Sequence, residues 1–494
     1  MKRRTLLKGG LAALALAGAN YTGLSLLGKP GFIDAAQADG FILPLPIPPL
    51  LEDLDNTADS ARFIMNVQQG SMDFFPGKPT ATLGYNGNFL GPTIRVRNGQ
   101  RFRVEVNNTL PEVTTLHWHG LHVPAEWDGG PRQPIPAGTT WKPDFTIKQE
   151  AATLWYHPHA MGLTGEQVYH GLAGFFLIED EVSDSLNIPK TYGVDDIPLV
   201  IQDRRFFRNG QFAYAQNMRD ILNGVIGNYL LVNGAMQPGL SVHGGLVRLR
   251  LLNGSNSSIY RIGFKDNRNF QVIASDGGFL EQPVTMNSIV LSAGERAEVV
   301  IDLSDVELGN QISLMVEQMK GSLFEAMLIT VDRPAETTAV LPDHLRTLDK
   351  IPESEASGIR GFTMETMSMG GGRMGMSMMG RRLTINGKKM DINRIDEQVK
   401  LGSTEIWEIT NQGAMMMSMP HSMHLHDVQF QILSRDGRKP PAHEQGRKDT
   451  VLIMPGETVR IISRFYDYTG VYMYHCHLLE HEDDGMMGQF EVIS

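Results

Sequence analysis

The sequence predicts an all-β fold of three consecutive β-sandwich domains, and three observations carry that expectation. A strand–turn–strand pattern recurs at Ile94–Asn108, Leu240–Asn253 and Val399–Asn411, each copy alternating apolar and polar residues about a short turn. A second turn signal follows each copy, at Pro136–Thr139, Ser292–Glu295 and Met454–Glu457, and leads into another strand. Long segments with helical periodicity are absent. Short alternating strands punctuated by Gly and Pro are the signature of sandwiches, and a threefold repeat makes each unit a domain. Closing strands are expected near Gly174–Ile178, Ala326–Val331 and Gly488–Ile493. The predicted spans are 39–182, 183–340 and 341–494, with boundaries in the Asp/Ser/Pro-containing 181–196 and the Pro/Glu/Ser-containing 333–360.

Taken in order, the chain opens on an export signal over 1–38. Lys2, Arg3, Arg4 and Lys8 form a basic start, Leu11–Ala17 an apolar run, and Ala36-Gln37-Ala38 a small-residue cleavage site. The paired arginines suggest the twin-arginine route and a periplasmic or otherwise exported location. Losing this segment removes five basic residues and one acid, taking the net charge from −11 to −15. That balance argues against nucleic acid as a partner. No apolar run is long enough to span a bilayer, so no stable membrane insertion is expected. Residues 41–50 carry prolines that forbid a helix or a central strand, and an extended strap over a domain surface is expected there. The 494 residues, 41% of them hydrophobic, can supply several cores.

The chemistry concentrates in histidine clusters of the first and third units. His117-Trp118-His119 and His157-Pro158-His159 are pairs at i, i+2, which share one face of a strand. In the third unit His424 and His426 repeat that spacing after His421. Near the end stands His475-Cys476-His477-Leu478-Leu479-Glu480-His481, followed by Met486. Ten of the fifteen histidines fall in these clusters, whereas the middle unit has only His243. Core histidines scattered by packing would not sort this way. His122, His170, His344 and His443 are expected to be ordinary surface or loop residues.

Cys476 is the only cysteine. A lone thiol in an oxidising compartment forms no internal disulfide and is a liability unless buried or bound to metal. Thiolate, imidazole and a weak axial thioether are the soft ligand set of a blue-copper site. On an extended strand Cys476 faces one way while His475 and His477 face the other. One strand can therefore serve a sulfur-bound copper on one side and a second metal centre on the other.

His-Trp-His-Gly, His-Pro-His, His-x-x-His-Leu-His and His-Cys-His-x3-His-x4-Met resemble the four copper motifs of the multicopper oxidases, in family order. The resemblance spans essentially the whole mature chain and implies three cupredoxin-like Greek-key domains. Within the family it is most similar to the bacterial periplasmic cuprous oxidases of copper efflux. It implies four coppers. A type 1 copper falls to His421, Cys476 and His481 with Met486 axial, and a type 2 copper to His117 and His424. One type 3 copper falls to His119, His157 and His477, and the other to His159, His426 and His475. Asp128 and Glu482 match positions of acids that relay protons to the cluster. The middle domain, lacking ligands, would be a spacer and scaffold.

The implied activity is one-electron oxidation of Cu(I), and of phenolic or diamine compounds, coupled to four-electron reduction of O2 to water, in copper tolerance. Thioethers suit Cu(I). Met364, Met367, Met369, Met374, Met376, Met378 and Met379 crowd a segment containing Gly370–Gly372, and Met415, Met416, Met417, Met419 and Met423 crowd the approach to His421. The glycines disfavour a helix, so a mobile flap carrying substrate Cu(I) is expected. The pattern departs from the cuprous oxidases in one respect, since 414–420 holds no acid ahead of His421. Two alternatives stand: a general laccase-like oxidase of organic substrates, and a non-catalytic copper-binding scaffold. A monomer is expected.

Overall fold

A computed structural model describes residues 43–319, 321–335, 340–367, 382–413 and 419–494. The expected export segment 1–38, and Met369, Met374, Met376, Met378, Met379, Met415, Met416 and Met417, lie outside the described residues. No helix among them is long and apolar enough to cross a membrane.

The strands assemble into three pairs of sheets, one pair per repeat. The first sandwich has five-stranded and four-stranded sheets, the second six and five strands, the third five and five. The same parallel pairings recur in each. Ser60–Phe75, Asp196–Arg204 and Gly358–Met367 lie parallel to Arg101–Asn108, Leu246–Asn253 and Thr404–Asn411. In the facing sheets, Ile94–Arg97, Gly239–His243 and Glu397–Lys400 lie parallel to the closing strands Gly174–Glu179, Leu323–Arg333 and Met487–Ile493.

The repeated strand–turn–strand units are therefore not hairpins. In each, the turn carries the chain from one sheet of the sandwich to the other. A tight turn with a left-handed glycine (Gly99, Gly245, Gly402) makes that crossing. Alternation in both strands then points inward-facing residues from opposite sheets at one core. The three cores follow: Phe63, Val104, Trp118, Tyr156 and Phe176 in the first; Leu249, Tyr260, Val299 and Ile329 in the second; Trp407, Ile461, Tyr472 and Phe490 in the third.

The proline strap is extended, as its composition requires. It bonds along the second sandwich through Leu45 N–H to Gly239 O (2.7 Å) and then along the first through Leu51 N–H to Thr93 O (2.8 Å). It thus laces two domains together.

Met364 corrects an expectation. It lies on the strand Gly358–Met367, fully buried in the core of the third sandwich, because alternation places it beside Phe362 on the inward face. Met419 and Met423 are buried in the same core. Met364 and Met423 are core-filling thioethers rather than part of an exposed capture surface.

Candidate metal centre

The third sandwich builds the first site. His421 opens the strand His421–Leu425, Cys476 ends the strand Gly470–Cys476, and His481 lies on the short helix Leu479–Asp483. Cys476 Sγ is 3.5 Å from His421 Nδ1 and 3.6 Å from His481 Nδ1. His481 Nε2–H donates to the Leu222 carbonyl at 3.2 Å, so its Nδ1 lone pair is the one aimed at the thiol. Met486 is buried in the same core, and its carbonyl accepts from Cys476 N–H at 3.0 Å. Burial pushes the Cys476 thiol up to about 12. Only a cation could hold a thiolate there at neutral pH.

The second site lies between the first and third sandwiches, four histidines from each. His117 and His119 sit on the strand His117–His119, and His157 and His159 at and just beyond the end of Ala152–His157. His424 sits near the end of the strand His421–Leu425 and His426 just beyond it, and His475 and His477 flank Cys476. All eight are buried. As alternation requires, Cys476 turns into the third core while its neighbours turn to the interface.

Hydrogen bonds around the rim decide which ring nitrogens face inward. His117 Nδ1–H donates to Asp128 O and His424 Nδ1–H to Asp449 O, each at 2.9 Å. His157 Nδ1–H donates to Pro158 O at 2.7 Å, and His426 Nδ1–H to Asp128 Oδ2 at 2.8 Å. His475 Nδ1–H donates to Cys476 O at 3.2 Å, and the Glu482 carboxyl stands beside two rings, Oε1 3.3 Å from His159 Nδ1 and Oε2 3.2 Å from His475 Nδ1. Their Nε2 atoms are consequently bare lone pairs, yet they crowd together. His159 and His426 Nε2 lie 3.1 and 3.2 Å from His475 Nε2, and His117 and His424 Nε2 lie 3.5 Å apart. Both nitrogens of His477 lack a hydrogen-bond partner among the described residues.

Acceptors converging on acceptors repel unless a cation lies between them. Burial, the largest cause throughout, lowers the affinity of these rings for protons, with His117 at about 4 and His475 at about 3. Neutral imidazoles in a dry pocket are metal ligands rather than bases. Among the described residues five sets of ligand atoms lie within metal-binding distance: His421/Cys476/His481, His159/His426/His475, His117/His119/His157, His117/His424/His426 and His119/His424/Asp449. The donor set, all imidazole in one centre and imidazole plus thiol in the other, suits copper.

The three repeats match three sequence models, each described as "Multicopper oxidase", over residues 66–183, 195–316 and 363–494. The chain is 39% identical to the multicopper oxidase mco of Staphylococcus epidermidis over 90% of this chain and 91% of that one. This chain belongs to the multicopper oxidase family. It is also 37% identical to the cell division protein FtsP of Escherichia coli, over 85% and 86% of the two chains. Among solved structures it superposes on the laccase-like multicopper oxidase CueO of Ochrobactrum sp. at a TM-score of 0.82. That match has 38% identity and covers 91% of this chain and all of the other. This oxidase is thus an enzyme of cupredoxin-like domains whose family binds copper.

Burial, again the largest cause, holds both predicted acids, Asp128 and Glu482, well above the usual carboxylate range. His122 differs from expectation. It is buried, with Nδ1 2.8 Å from Asp427 Oδ1 and its ring between Tyr466 and Tyr468. Burial opposes its charge, but Asp427 and Asp467 outweigh that and raise its pKa. His344 is exposed, and His170 and His443 are half-buried.

The middle sandwich is more than a spacer. It supplies the Leu222 carbonyl to His481, and Gly294 lies under His477, where a Cβ would come within 2.9 Å of the ring. It also supplies Arg296, which grips Asp449 beside His119. Sequence reading missed these residues because backbone carbonyls, glycines and an isolated Asp-Arg pair carry no local spacing signal.

Proposed function

We propose that this oxidase couples one-electron oxidation of Cu(I), together with phenolic or diamine compounds, to four-electron reduction of O2 to water, as an exported protein of copper tolerance. The observation that carries the site is the convergence of bare imidazole lone pairs beside a separate His2Cys set. In this reading His421, Cys476 and His481, with Met486 beside them, would hold a type 1 copper, and His117 and His424 a type 2 copper. His119, His157 and His477 hold one type 3 copper; His159, His426 and His475 hold the other. Copper in these sites would accept one electron from each of four reduced substrate molecules and pass the four to O2, which takes up four protons to become two waters.

The chain's own residues do the rest. His475-Cys476-His477 joins the two centres covalently within three residues. Burial of every ligand excludes water and fixes the rings on their rim hydrogen bonds. Protons are held at Glu482, between His159 and His475, and at Asp128, against His426. Beside Glu482, Asp483 is raised by burial to about 7 and is half-buried, which makes it the outward step of a proton path.

Support for Cu(I) comes from thioethers at the approach to His421. A small cleft between the middle and third sandwiches is lined by Met319, Met419, Pro420 and Leu478. The apolar walls of this cleft, with Ile226 and Ile259, equally favour the laccase-like reading. O2 uptake with Cu(I) and with a diphenol separates the two. The test compares wild type with a variant in which a short Gly-containing turn replaces 368–381, since Met364 is structural and Met367 pairs with Arg382. Loss of Cu(I) oxidation with phenol oxidation kept or raised supports the cuprous reading; the reverse pattern makes the laccase-like reading the better account.

A further inference from the structure

We propose that Arg296, on the middle sandwich, is a positioning residue for the histidine cluster. Through Asp449 it sets which nitrogen of His119 is free for metal and keeps the Asp449 carboxylate from becoming a ligand itself. The inference rests on the copper reading of the cluster.

Both members of the pair have no solvent exposure. Arg296 Nη1 and Nη2 donate to Asp449 Oδ1 and Oδ2 at 2.7 and 2.6 Å, a bidentate fork. The remaining three N–H groups donate to backbone carbonyls: Nε to Thr153 at 3.0 Å, Nη1 to Gly294 at 3.1 Å and Nη2 to Asp276 at 3.0 Å. All five guanidinium donors are thereby used, and Arg296 touches the first, second and third sandwiches at once.

Held in that fork, Asp449 Oδ1 accepts from His119 Nε2–H at 3.0 Å. His119 is thus turned the opposite way from its neighbours and presents Nδ1, which lies 3.4 Å from His157 Nε2. The Asp449 carbonyl meanwhile accepts from His424 Nδ1–H, so one residue orients two rings from different domains. Gly120, directly after His119, gives independent support. A Cβ there would lie 2.4 Å from Asp449 Oδ2 and 2.8 Å from Arg296 Nη2, so the pair occupies the space a side chain would need.

Without its guanidinium partner, Asp449 would be a buried carboxylate left with the Thr450 hydroxyl at 2.9 Å and His119 Nε2–H, and its oxygen already lies within metal-binding distance of the His119 and His424 nitrogens. Its freed oxygen would then compete with the two rings for the metal or let go of His119. Each response changes the coordination of the cluster without disturbing Cys476.

The test uses the full-length, copper-loaded protein and the variants R296K, R296M and D449N. R250M is the control, since it breaks an equally buried ion pair whose partners are Asp196, Glu298 and Thr153. Copper per chain, the electron paramagnetic resonance of the non-blue copper, the blue absorption and Tm are measured. R296M and D449N are expected to weaken copper binding at the cluster by about 10–100-fold, with the blue absorption retained. R296K, which keeps the charge but not the fork, is expected to fold and to show a shifted resonance spectrum. R250M is expected to lower Tm alone. Should R296M fail to fold, R296K decides. Wild-type copper affinity and spectrum in R296K overturn the proposal, as does the same spectral change in R250M. A wild type that binds no copper at these histidines overturns the copper reading instead.

Discussion

Replacing Glu482 with Gln tests the proton chemistry most directly, and the structure sets its scale. The carboxyl lies 3.3 Å from His159 Nδ1 and 3.2 Å from His475 Nδ1. Held protonated, the carboxyl has one C=O and one O–H, and an amide of the same shape puts one oxygen and one NH2 in their place. His475 has a second acceptor in the Cys476 carbonyl at 3.2 Å, so the amide oxygen can stay with His159. The structural cost is therefore at most about one buried hydrogen bond, roughly 1–2 kcal/mol, too little to unfold the protein. The functional cost is larger, because an amide cannot deliver a proton; loss of a general acid lowers the step it serves by about 10²–10⁴-fold. The assay reduces the copper-loaded variant anaerobically, following loss of the blue absorption, and then mixes it rapidly with O2. Reduction is expected at the wild-type rate and reoxidation slower by about 10²-fold or more. Burial keeps Glu482 protonated well above the usual carboxylate range. Wild-type reoxidation should therefore fall as pH rises through that raised value, and the variant should be flat. Wild-type reoxidation in Glu482→Gln would refute proton delivery. Loss of copper from the variant would show instead that Glu482 serves only to orient His159 and His475.

Asp128→Asn is expected to slow reoxidation too, and to disturb His426 more, since Asp128 Oδ2 takes the His426 Nδ1–H at 2.8 Å; a copper titration beside the reoxidation assay separates the two effects. Cys476→Ser should abolish the blue colour and substrate oxidation while leaving copper at the histidine cluster, whose ligands it does not touch; substantial turnover by this variant would sink the electron-entry assignment. His117→Gln tests the burial of the histidines in the metal-free protein. His117 is lowered from 6.5 to about 4, so between those values the unfolded chain binds a proton that the folded chain refuses, and stability falls as pH falls. Removing the group should spare the variant about 3 kcal/mol of the wild type's loss between pH 7 and 4, read from urea midpoints; parallel pH profiles would contradict the assignment.

The sequence by itself determined the architecture and the donors. Alternation and three recurring turns imply sandwiches because a strand buries every second residue, and that rule acts locally in each repeat. The histidine pairs were legible for the same reason: i, i+2 spacing on a strand is a statement about one face. So was the opposition of Cys476 to His475 and His477. What the tertiary structure decided is everything that depends on which surfaces meet. The turn in each repeat crosses between sheets, a choice made by burial of both strands in one core. Met364 looks like part of a methionine-rich flap until the register of its strand turns it inward. His122 resembles a loop histidine until Asp427 and two tyrosines close over it from another domain. The middle sandwich has no ligand-like pattern, yet Leu222, Gly294 and Arg296 set ring orientations in both centres. A backbone carbonyl, a missing Cβ and a guanidinium fork act at distances of 3 Å across domain boundaries, and no spacing within one segment can encode a contact made by two.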